Sequence, residues 1–554
     1  MEKITPLTRL WNQIRLDESE IVSIYFYAGL SGLIQLSLPV GIQAIIGFVL
    51  GASMVTSIYV LIFLVVAGVA AVGLLQINQM KIIERIQQKI FVRNAFQFAD
   101  IIPRFDLIKT DGFYLPEKVN RFFDTQNVQK GLSKLLLDVP IATIQIVLGL
   151  LLLGLYHPFF IVFGMVLLLA LWLIFTLTGK AGLNSSLRES VFKYKVASWL
   201  QEMGRVINTF KIAHGTHLNL QKTDSFVSGY LDSRETHFKV LLFQYKTLVF
   251  VKIAITVAML TVGTYLLLNQ QLNIGEFIAA EIVILTVINA VEKLIINLDS
   301  AYDVVTGLEK LATVTEGLSE FNGKHKLSAR EKGIDLELID FSFAFPAGKT
   351  ILEKTSLRIP AGSKVCIKAK HGSGKSTLLK ILGGFYHEYS GSLLFNNIPL
   401  KSYESQSLRE HFGVFLTQRE VFNGTILENI TMERKDISLD SINSLAEKTG
   451  LLNDLKMSAQ GLETNITSTG KNLRGSVLRS IMLLRALIKE PLLLLLEEPW
   501  AGFDPLVKEK MITYLTNRPP QVTVIVTTED ADFAASCDYI ISLDSGFATI
   551  QKND

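Results

Sequence analysis

Charge and cysteine are both scarce in this 554-residue chain. Asp, Glu, Lys and Arg together make up 19% of the residues, the formal net charge is +3, and 49% of the residues are hydrophobic. Such an apolar composition excludes an ordinary soluble protein and predicts a membrane protein. No basic block interleaved with aromatic residues is present, so nucleic acid is not an expected partner.

Only two cysteines occur, Cys366 and Cys537. They lie far apart in the sequence, and we interpret both as buried apolar residues and not as a disulfide or a metal pair. The N-terminal segment lacks a short apolar stretch followed by a cleavage site, so no removable signal peptide is expected. Residues 1–20 are predicted to form a cytoplasmic N-terminal segment.

Long uncharged or nearly uncharged runs indicate six membrane-spanning helices. Each is about as long as the ~20 residues that an α-helix needs to cross a bilayer. The predicted spans cover residues 21–50, 54–79, 135–156, 159–178, 247–268 and 274–297. Lys252 lies near the start of the fifth span and Glu281 within the sixth. An acid in a span is a candidate for substrate handling, and the alternative is that Glu281 faces a wet cavity or pairs with a neighbouring helix.

The distribution of Lys and Arg predicts the orientation. Residues 81–134 and 180–246 are repeatedly basic, whereas the short joins GAS, YHP and NQQLN contain neither residue. Basic loops stay on the cytoplasmic side, so we expect a multi-pass inner or plasma membrane protein with both termini cytoplasmic. Apolar residues at helical spacing in the two basic stretches predict helices that extend tens of ångströms beyond the membrane.

A second domain is predicted after the last span. A polar connector at residues 316–333 separates a membrane domain, residues 21–315, from a segment in which strand-like and helix-like runs alternate. This alternation is typical of an α/β domain, here residues 334–554.

The sequence AKHGSGKST, residues 369–377, has the pattern of a phosphate-binding loop. It follows a predicted strand and precedes a predicted helix, which is the context such a loop requires. Gly372 and Gly374 allow backbone N–H groups to converge on phosphate. Lys375 is expected to reach the β- and γ-phosphates, and Ser376 to offer its hydroxyl to Mg²⁺. The other residues predicted to border the nucleotide are Ala369, Lys370, His371, Ser373 and Thr377. Ala369 stands where Gly is usual, which is tolerable if its φ is negative.

A run of leucines ends in two acids in the sequence LLLLLEEP, residues 492–499. The run is typical of a buried parallel strand. Glu497 is expected to hold Mg²⁺ and Glu498 to polarise an attacking water. The alternative is a pair of surface acids at a strand end.

Taken together, six spans, HGSGKST and LLLLLEEP resemble an ABC exporter half-transporter over nearly the whole chain. The resemblance implies an α-helical six-span transmembrane domain of the type I ABC exporter kind and a C-terminal α/β P-loop nucleotide-binding domain. It also implies that two such halves sandwich ATP and Mg²⁺ between them. By the same resemblance, Phe345 stacks on adenine, Gln418 contacts Mg²⁺ or water, and Asp504 lies in the loop after the acidic strand.

Two motifs depart from the family pattern. The family signature LSGGQ is replaced by LRGSV, residues 473–477, so that Arg474 and Gly475 are left to contact the nucleotide held by the opposite half, while Ser476 adds a side chain. Thr528 stands where the family has a switch histidine. A threonine can donate a hydrogen bond but carries no charge. We therefore expect ATP binding to persist and hydrolysis to be weakened.

The resemblance also implies partners. A homodimer would combine both altered motifs in each site, so a heterodimer with a second ABC half-transporter is preferred over a homodimer. The spans most resemble peptidase-less exporters of the type I secretion kind, which implies a peptide or protein substrate, a periplasmic adaptor and an outer-membrane channel. One alternative is a weakly hydrolysing or non-hydrolysing structural or regulatory half of a heterodimer. Another is a channel opened by ATP, which nothing in the uncharged spans favours.

Overall fold

The computed structural model describes residues 5–51, 55–213, 216–328, 333–346, 348, 350–370, 372–418, 420–457, 460–467, 470–519, 521–544 and 546–553. Contacts divide the chain into two compact units. Unit 1 comprises Met1–Pro103 and Phe113–Leu318, and unit 2 comprises Arg104–Gly112 and Ser319–Asp554. The nine-residue segment at 104–112 therefore interrupts the predicted membrane domain and belongs with the C-terminal unit.

The N-terminal part of the chain is helical. Its helices are α1 Pro6–Arg15, α2 Glu18–Gln35, α3 Ser37–Leu50, α4 Val55–Ile101, α5 Leu107–Thr110, α6 Leu115–Val119, α7 Asp124–Tyr156, α8 Phe159–Arg205, α9 Ile207–Ile212, α10 Leu218–Leu268 and α11 Ile274–Thr315. Short 3₁₀ turns cover Ile102–Arg104 and Asn120–Phe123. All except the turn at Arg104 and α5 lie wholly in unit 1.

Six helical segments of unit 1 are long and apolar enough to cross a membrane, which confirms the predicted number of spans. Several continue well past the apolar stretch, as in α8 and α10. The first span differs from the prediction, because it consists of two helices that meet at Leu36. Pro39 lacks the N–H that would bond to the carbonyl of Gln35, and this favours the break.

Helix α11 lies at the centre of unit 1, and half of its most apolar window is buried. It packs mainly against α7, where glycines permit close approach. A Cβ on Gly149 would lie 2.4 Å from Val287 Cγ2, and one on Gly131 would lie 2.5 Å from Val304 Cγ2. The helix begins at a capping box formed by Asn273 and Glu276, which satisfies its first backbone N–H groups.

Charged residues in the spans have different surroundings. Lys252 of α10 forms an ion pair with Glu292 of α11, 3.1 Å between Nζ and Oε2. Glu281 is half-buried, and no ion pair involves it within the described part of the chain. Its role stays a prediction.

Unit 2 is an α/β domain. Its strands are β1 Leu336–Ala344, β2 Thr350–Ile359, β3 Lys364–Ala369, β4 Ser390–Phe395, β5 Ile398–Pro399, β6 Phe412–Phe415, β7 Gly424–Thr425, β8 Asn465–Ile466, β9 Leu493–Glu497, β10 Thr523–Thr527, β11 Tyr539–Asp544 and β12 Phe547–Lys552. Its helices after α5 are α12 Lys375–Leu382, α13 Ser405–Glu410, α14 Ile426–Thr431, α15 Leu439–Thr449, α16 Leu452–Lys456, α17 Gly475–Leu487, α18 Pro505–Thr516 and α19 Ala531–Ala535. Turns of 3₁₀ helix cover Leu400–Ser402 and Gly461–Glu463.

The strands form a six-stranded sheet in the order β12-β11-β3-β10-β9-β6, a four-stranded sheet in the order β2-β1-β4-β5, and the pair β7-β8. In the larger sheet only β12 is antiparallel to its neighbour. Strand β9 is buried at every position, as its leucine run predicts. Leu493 and Leu495 face one core cluster, and Leu494 and Leu496 face the other.

Segment 104–112 contributes to the first of these cores. Ile108 is buried in the cluster that contains the four-stranded sheet. Phe105 forms a β-bridge with Ser319, and the N–H of Glu320 donates to the carbonyl of Arg104 at 2.8 Å. The segment is thus a structural part of unit 2.

Both cysteines are free and buried, in agreement with their interpretation as interior residues. The fold nevertheless brings their thiols into hydrogen-bonding contact. The neighbouring Cys366 and burial together raise the pKa of the Cys537 thiol well above its usual value.

Candidate functional site

The predicted phosphate loop joins β3 to α12. Ala369 is the last residue of β3, pairs with Leu543 of β11 and is not in the left-handed region, so its Cβ causes no backbone strain. Gly372 has a φ of 79° and Gly374 a φ of 100°, values that L side chains rarely adopt. A Cβ on Gly374 would also lie 2.7 Å from Ile351 Cγ2. This position therefore requires glycine for two independent reasons.

Hydrogen bonds within the loop hold its turn. The carbonyl of Lys370 accepts from the N–H of Ser373 at 3.2 Å and from its hydroxyl at 2.7 Å. The side chain of Lys370 is exposed, and Thr377 is half-buried in the first turn of α12. His371 lies outside the described residues.

Lys375 begins α12 and turns its ammonium group toward the end of the sheet. Its Nζ donates to the carbonyl of Ala369 at 2.9 Å. It also lies 3.9 Å from Glu498 Oε1 and 3.8 Å from Glu529 Oε1. The ammonium group is therefore held loosely by two carboxylates, at distances that leave its protons available to a phosphate.

Glu497 ends β9 and receives three hydrogen bonds. The hydroxyl of Ser376 donates to Oε1, while the N–H and the hydroxyl of Thr417 each donate to Oε2 at 2.8 Å. Burial acts most strongly on this carboxyl and would raise its pKa, but these hydrogen bonds outweigh it, and the pKa lies below the usual value. Glu497 is therefore ionised at neutral pH.

The atoms around Glu497 suit Mg²⁺. A carboxylate and hydroxyl oxygens are the hard donors that Mg²⁺ prefers, with phosphate and water completing its octahedral shell. Because the Ser376 hydroxyl gives its proton to Glu497, its lone pairs are left for another group. The donor set thus fits the predicted metal.

Glu498 is held through its backbone by residues of β10 and α17. Its φ of 44° lies in the left-handed region, its N–H donates to the carbonyl of Thr527 at 2.9 Å, and its carbonyl accepts from Arg479 Nη2 at 2.7 Å. Burial raises the pKa of its carboxyl above the usual value, although Lys375 and a hydrogen bond with Thr528 oppose this shift. A strained residue with a raised pKa is typical of an active site.

Thr528 immediately follows β10 and is almost completely buried. Its N–H donates to the carbonyl of Ile367 at 3.3 Å, and its hydroxyl accepts from the N–H of Asp530 at 3.2 Å. Its side chain also lowers the pKa of the Glu498 carboxyl, against the effect of burial. Thr528 therefore lies at the predicted centre, beside Glu498.

Gln418 and Phe345 are two further residues predicted for this site. Gln418 follows Thr417 and is exposed, and its side chain has no hydrogen bond within the part of the chain that the structure describes. Phe345 is half-buried after β1 and makes edge contacts with Phe343 and Tyr386, at centroid distances of 5.2 and 5.9 Å. Thr417, and not the predicted Gln418, hydrogen-bonds to the carboxylate of Glu497.

Arg474, Gly475 and Asp504 are not joined to the loop by any hydrogen bond or ion pair among the described residues. Arg474 is exposed just before α17, with Nη1 3.6 Å from Met457 Sδ, and Gly475 is the first residue of that helix. Asp504 is exposed at the start of α18. Their predicted contacts with nucleotide stay predictions.

The hydroxyl of Ser476 turns toward the interior of its own chain. It donates to Asp454 Oδ1 at 3.0 Å, and the hydroxyl of Ser480 donates to Oδ2 at 2.9 Å. Asp454 thereby fixes the start of α17. The side chain of Ser476 is thus occupied within the subunit.

Sequence reasoning missed Thr417 and Glu529 at the centre and Asp454 at the start of α17. Glu529 follows Thr528 at the carboxyl end of β10, and the rule that ligands bind at the carboxyl ends of parallel strands could have found it. Thr417 likewise lies two residues after β6. No local pattern singles out Asp454, because its partners are about 25 residues away on another helix.

Comparisons with known proteins agree with this geometry. Residues 352–501 match the family described as ABC transporter. The chain is 32% identical over 213 residues to a probable ABC transporter ATP-binding/permease protein of Haemophilus influenzae, covering 38% of each chain. It is 25% identical over 451 residues to the lactococcin-A transport/processing ATP-binding protein LcnC of Lactococcus lactis, covering 78% of this chain and 60% of the relative. The chain thus spans less than two thirds of the length of either relative.

A solved structure shows the same fold over nearly the whole chain. The structure of a bacterial Atm1-family ABC exporter with ATP bound superimposes with a TM-score of 0.83 at 16% identity, covering 97% of this chain and 95% of that one. The predicted fold class, a six-span helical domain followed by a nucleotide-binding α/β domain, is confirmed.

Proposed function

We propose that this chain, which has the fold of an ABC exporter half-transporter and carries an ABC transporter domain, binds Mg²⁺-ATP in unit 2 and couples it to transport by unit 1. The proposal rests on one observation above others. Lys375, Ser376, Glu497, Glu498 and Thr528 come from three separated sequence segments and meet at the carboxyl ends of parallel strands. Ligands bind at this edge in open α/β sheets.

Each residue of the centre has a role that its contacts support. The loop with Gly372 and Gly374 presents backbone N–H groups at the start of α12, where the helix dipole favours phosphate. Lys375 supplies a cation to the β- and γ-phosphates. Ser376 and Glu497 would hold Mg²⁺, which when bound neutralises phosphate charge. The remaining loop residues, Ala369, Lys370, His371, Ser373 and Thr377, would border the nucleotide, and Phe345 would stack on adenine.

Glu498 is the proposed general base. Its raised pKa brings its proton affinity closer to that needed for accepting a proton from water near neutral pH. Thr528 is proposed to orient this carboxyl through its hydroxyl, which its effect on the pKa of Glu498 supports. Gln418 is proposed to reach Mg²⁺ or water once nucleotide is bound.

We propose further that a second ABC half-transporter completes the site, and that a heterodimer is favoured over a homodimer. Arg474, Gly475 and Asp504 would then face the nucleotide of the opposite subunit. Arg474 is exposed, which supports a contact outside its own chain, and its guanidinium can bind phosphate in a bidentate manner.

A second candidate function is a structural or regulatory half that binds ATP and hydrolyses it weakly or not at all. The specific observation in its favour is Thr528, whose buried, uncharged side chain occupies the position at the end of β10. It can donate a single hydrogen bond but cannot carry the positive charge of a protonated histidine. Loss of one such preorganised group typically slows turnover about 10²- to 10³-fold.

For transport, we propose an inner or plasma membrane location with both termini cytoplasmic and a peptide or protein substrate. The name of the Lactococcus lactis relative, a lactococcin-A transport protein, supports this substrate class. A periplasmic adaptor and an outer-membrane channel are further proposed partners. In domain terms, we propose an N-terminal segment at 1–20, a membrane domain at 21–315, a connector at 316–333 and a nucleotide-binding domain at 334–554, with segment 104–112 added to the last.

Two measurements on the purified chain test the proposal. ATP binding should be strong in the unchanged chain and lost in Lys375→Met, while Lys435→Met, the same change at an exposed position outside the loop, should retain it. ATP hydrolysis by the chain alone should be slow, and co-expression with a half-transporter that has intact motifs should raise it. Absence of ATP binding would overturn the proposal, whereas fast hydrolysis by the chain alone that Glu498→Gln abolishes would refute the weakened site.

A further inference from the structure

Unit 1 contains a cavity of about 630 Å³ that none of the roles above uses. It lies between α6 and the following turn, the C-terminal half of α8, the first turns of α10 and the end of α11. Cavities of 300–1,000 Å³ are of the size that binds small ligands or peptide side chains. We call it the basic pocket, because five of its lining residues are cations: Lys118, Arg121, Lys195, Lys222 and Lys310.

The two acids of the basic pocket do not balance these cations. Glu117 pairs with Arg121 at 3.2 Å, and Glu202 pairs with Arg205 at 2.5 Å. The four lysines are then left without a carboxylate partner among the residues that the structure describes. The basic pocket therefore has an excess of positive charge that its own acids do not neutralise.

Lys310 gives the strongest evidence that the basic pocket binds an anion. Its side chain lines the pocket while the residue is only 8% exposed, and it forms no hydrogen bond or ion pair through its ammonium group within the described residues. Partial loss of water around this ammonium is costly, and Asp124, the acid that interacts with it, already accepts hydrogen bonds from Lys193 and Tyr194. An anion in the pocket would supply the missing partner.

Aromatic side chains form the other walls. Lys118 Nζ lies 4.0 Å from the ring centroid of Phe113, and Lys222 Nζ lies 4.7 Å from that of Trp199. Phe226 and Tyr194 also line the pocket. These rings offer apolar surface beside the cations, so the complementary ligand has carboxylates or phosphates next to apolar groups.

The distance from the membrane argues against a lipid headgroup. Along α8, Val191 lies 13 residues, or about 20 Å, beyond the apolar stretch that ends at 178. Along α10, Lys222 lies 25 residues, or about 37 Å, before the stretch that begins at 247. Headgroups extend only about 5–7 Å beyond the hydrocarbon core. The ligand is therefore soluble.

We propose that the basic pocket binds an acidic peptide segment, in which glutamate or aspartate side chains alternate with apolar or aromatic ones. The proposal rests on the proposed function in one respect, that the transported substrate is a peptide or protein. The pocket would then be a site at which substrate is recognised outside the membrane, before it enters the spans.

Binding of a labelled synthetic peptide to the full-length, nucleotide-free chain in nanodiscs tests the proposal. The probe is a 12-residue peptide of alternating Glu and Leu or Phe, followed by fluorescence anisotropy, and its matched control has Gln for each Glu. The acidic peptide should bind at least about tenfold more tightly. A hydrogen bond to a charged group is stronger than a neutral one by about 1–1.5 kcal/mol, which corresponds to about a tenfold difference in affinity. Equal affinity for the two peptides overturns the proposal.

Three variants locate the site. Lys310→Met and Lys222→Met should each weaken binding of the acidic peptide about tenfold, whereas Lys239→Met, the same change at an exposed position of α10, should leave it unchanged. Lys310→Met should also keep or raise the melting temperature, because it removes a charge that is largely shielded from water. A lowered melting temperature in Lys310→Met with unchanged peptide binding in Lys222→Met would show a structural lysine and refute the proposal.

Competitors distinguish the other sources of anions. Inorganic phosphate or free glutamate at millimolar concentration should not displace the peptide, and neither should vesicles that contain phosphatidylserine. Displacement by any of them would refute an acidic peptide segment as the ligand. ATP binding is measured on the same sample, so that loss of ATP binding reports failure of the proposed function, and loss of peptide binding alone reports failure of this proposal.

Discussion

Replacing Glu497 with Gln tests whether this carboxylate is the protein's principal Mg²⁺ ligand. The substitution keeps the size of the side chain and removes its charge. In the native chain the carboxylate accepts from Ser376 through one oxygen and from Thr417 twice through the other. The amide of Gln has one oxygen and one NH₂, so it can accept on only one of these sides.

The magnitude follows from these hydrogen bonds. Hydrogen bonds to a charged acceptor contribute about 1.5–3 kcal/mol each, and neutral ones about 0.5–1.5 kcal/mol. If the Gln oxygen faces Thr417, two bonds weaken to neutral strength and the bond from Ser376 is lost as such. We expect about 3–6 kcal/mol less stabilisation of the arranged site, which corresponds to a factor of about 100 or more in the binding of Mg²⁺-ATP.

The assay is equilibrium binding of ATP with Mg²⁺ and with EDTA. The unchanged chain should bind ATP more tightly when Mg²⁺ is present, and Glu497→Gln should lose most of this difference while binding in EDTA changes little. Glu410→Gln, the same change at an exposed helix end, is the control and should behave like the unchanged chain. Full Mg²⁺ enhancement in a Glu497→Gln protein with an unaltered melting temperature would refute the assignment of the metal ligand.

Three more outcomes are expected. Gly374→Ala should weaken ATP binding tenfold or more, because its φ costs about 1–3 kcal/mol and its Cβ meets Ile351, whereas Gly461→Ala, also at positive φ but with open space, should bind ATP normally in the same assay. Hydrolysis in the assembled transporter should fall as pH decreases through the raised pKa of Glu498, because the protonated carboxyl cannot accept a proton. The measurement is a pH–rate profile. A profile without this loss of rate at acidic pH, or the same loss of rate in Glu498→Gln, contradicts the role of Glu498 as general base. Asp454→Ala should lower the stability of unit 2 by about 1–3 kcal/mol, because the hydroxyls of Ser476 and Ser480 lose their acceptor. The measurement is the melting temperature, and an unchanged value would show that these hydrogen bonds contribute nothing to stability.

The features that could be predicted from the sequence are mostly those formed by consecutive residues. The glycines and Lys375 of the loop, and the leucines that precede Glu497, are consecutive in sequence, and their backbone requirements can be read from residue type alone. The six spans are likewise consecutive apolar runs, and their number is confirmed. The structure places Ala369 in the permitted backbone region that its prediction required.

Contacts between distant segments could not be read in this way. Thr417 donates hydrogen bonds to Glu497 because β6 and β9 are neighbours in the sheet. The order of strands in a sheet cannot be predicted from the sequence of either strand alone. Asp454 and Ser476 meet only after α16 packs on α17. The contacts predicted for Arg474 across a dimer stay predictions, since they depend on residues of another subunit.

The position of segment 104–112 in the sequence determines when the core of unit 2 can be completed during synthesis. It is synthesised early, between two membrane helices, yet its Ile108 completes a core whose other residues are made only after residue 318. The remaining four spans are synthesised before these residues, and during that time segment 104–112 lacks its packing partners. A soluble fragment that starts at Ser319 would lack Ile108 from its core, so unit 2 reaches its full packing only when segment 104–112 is present.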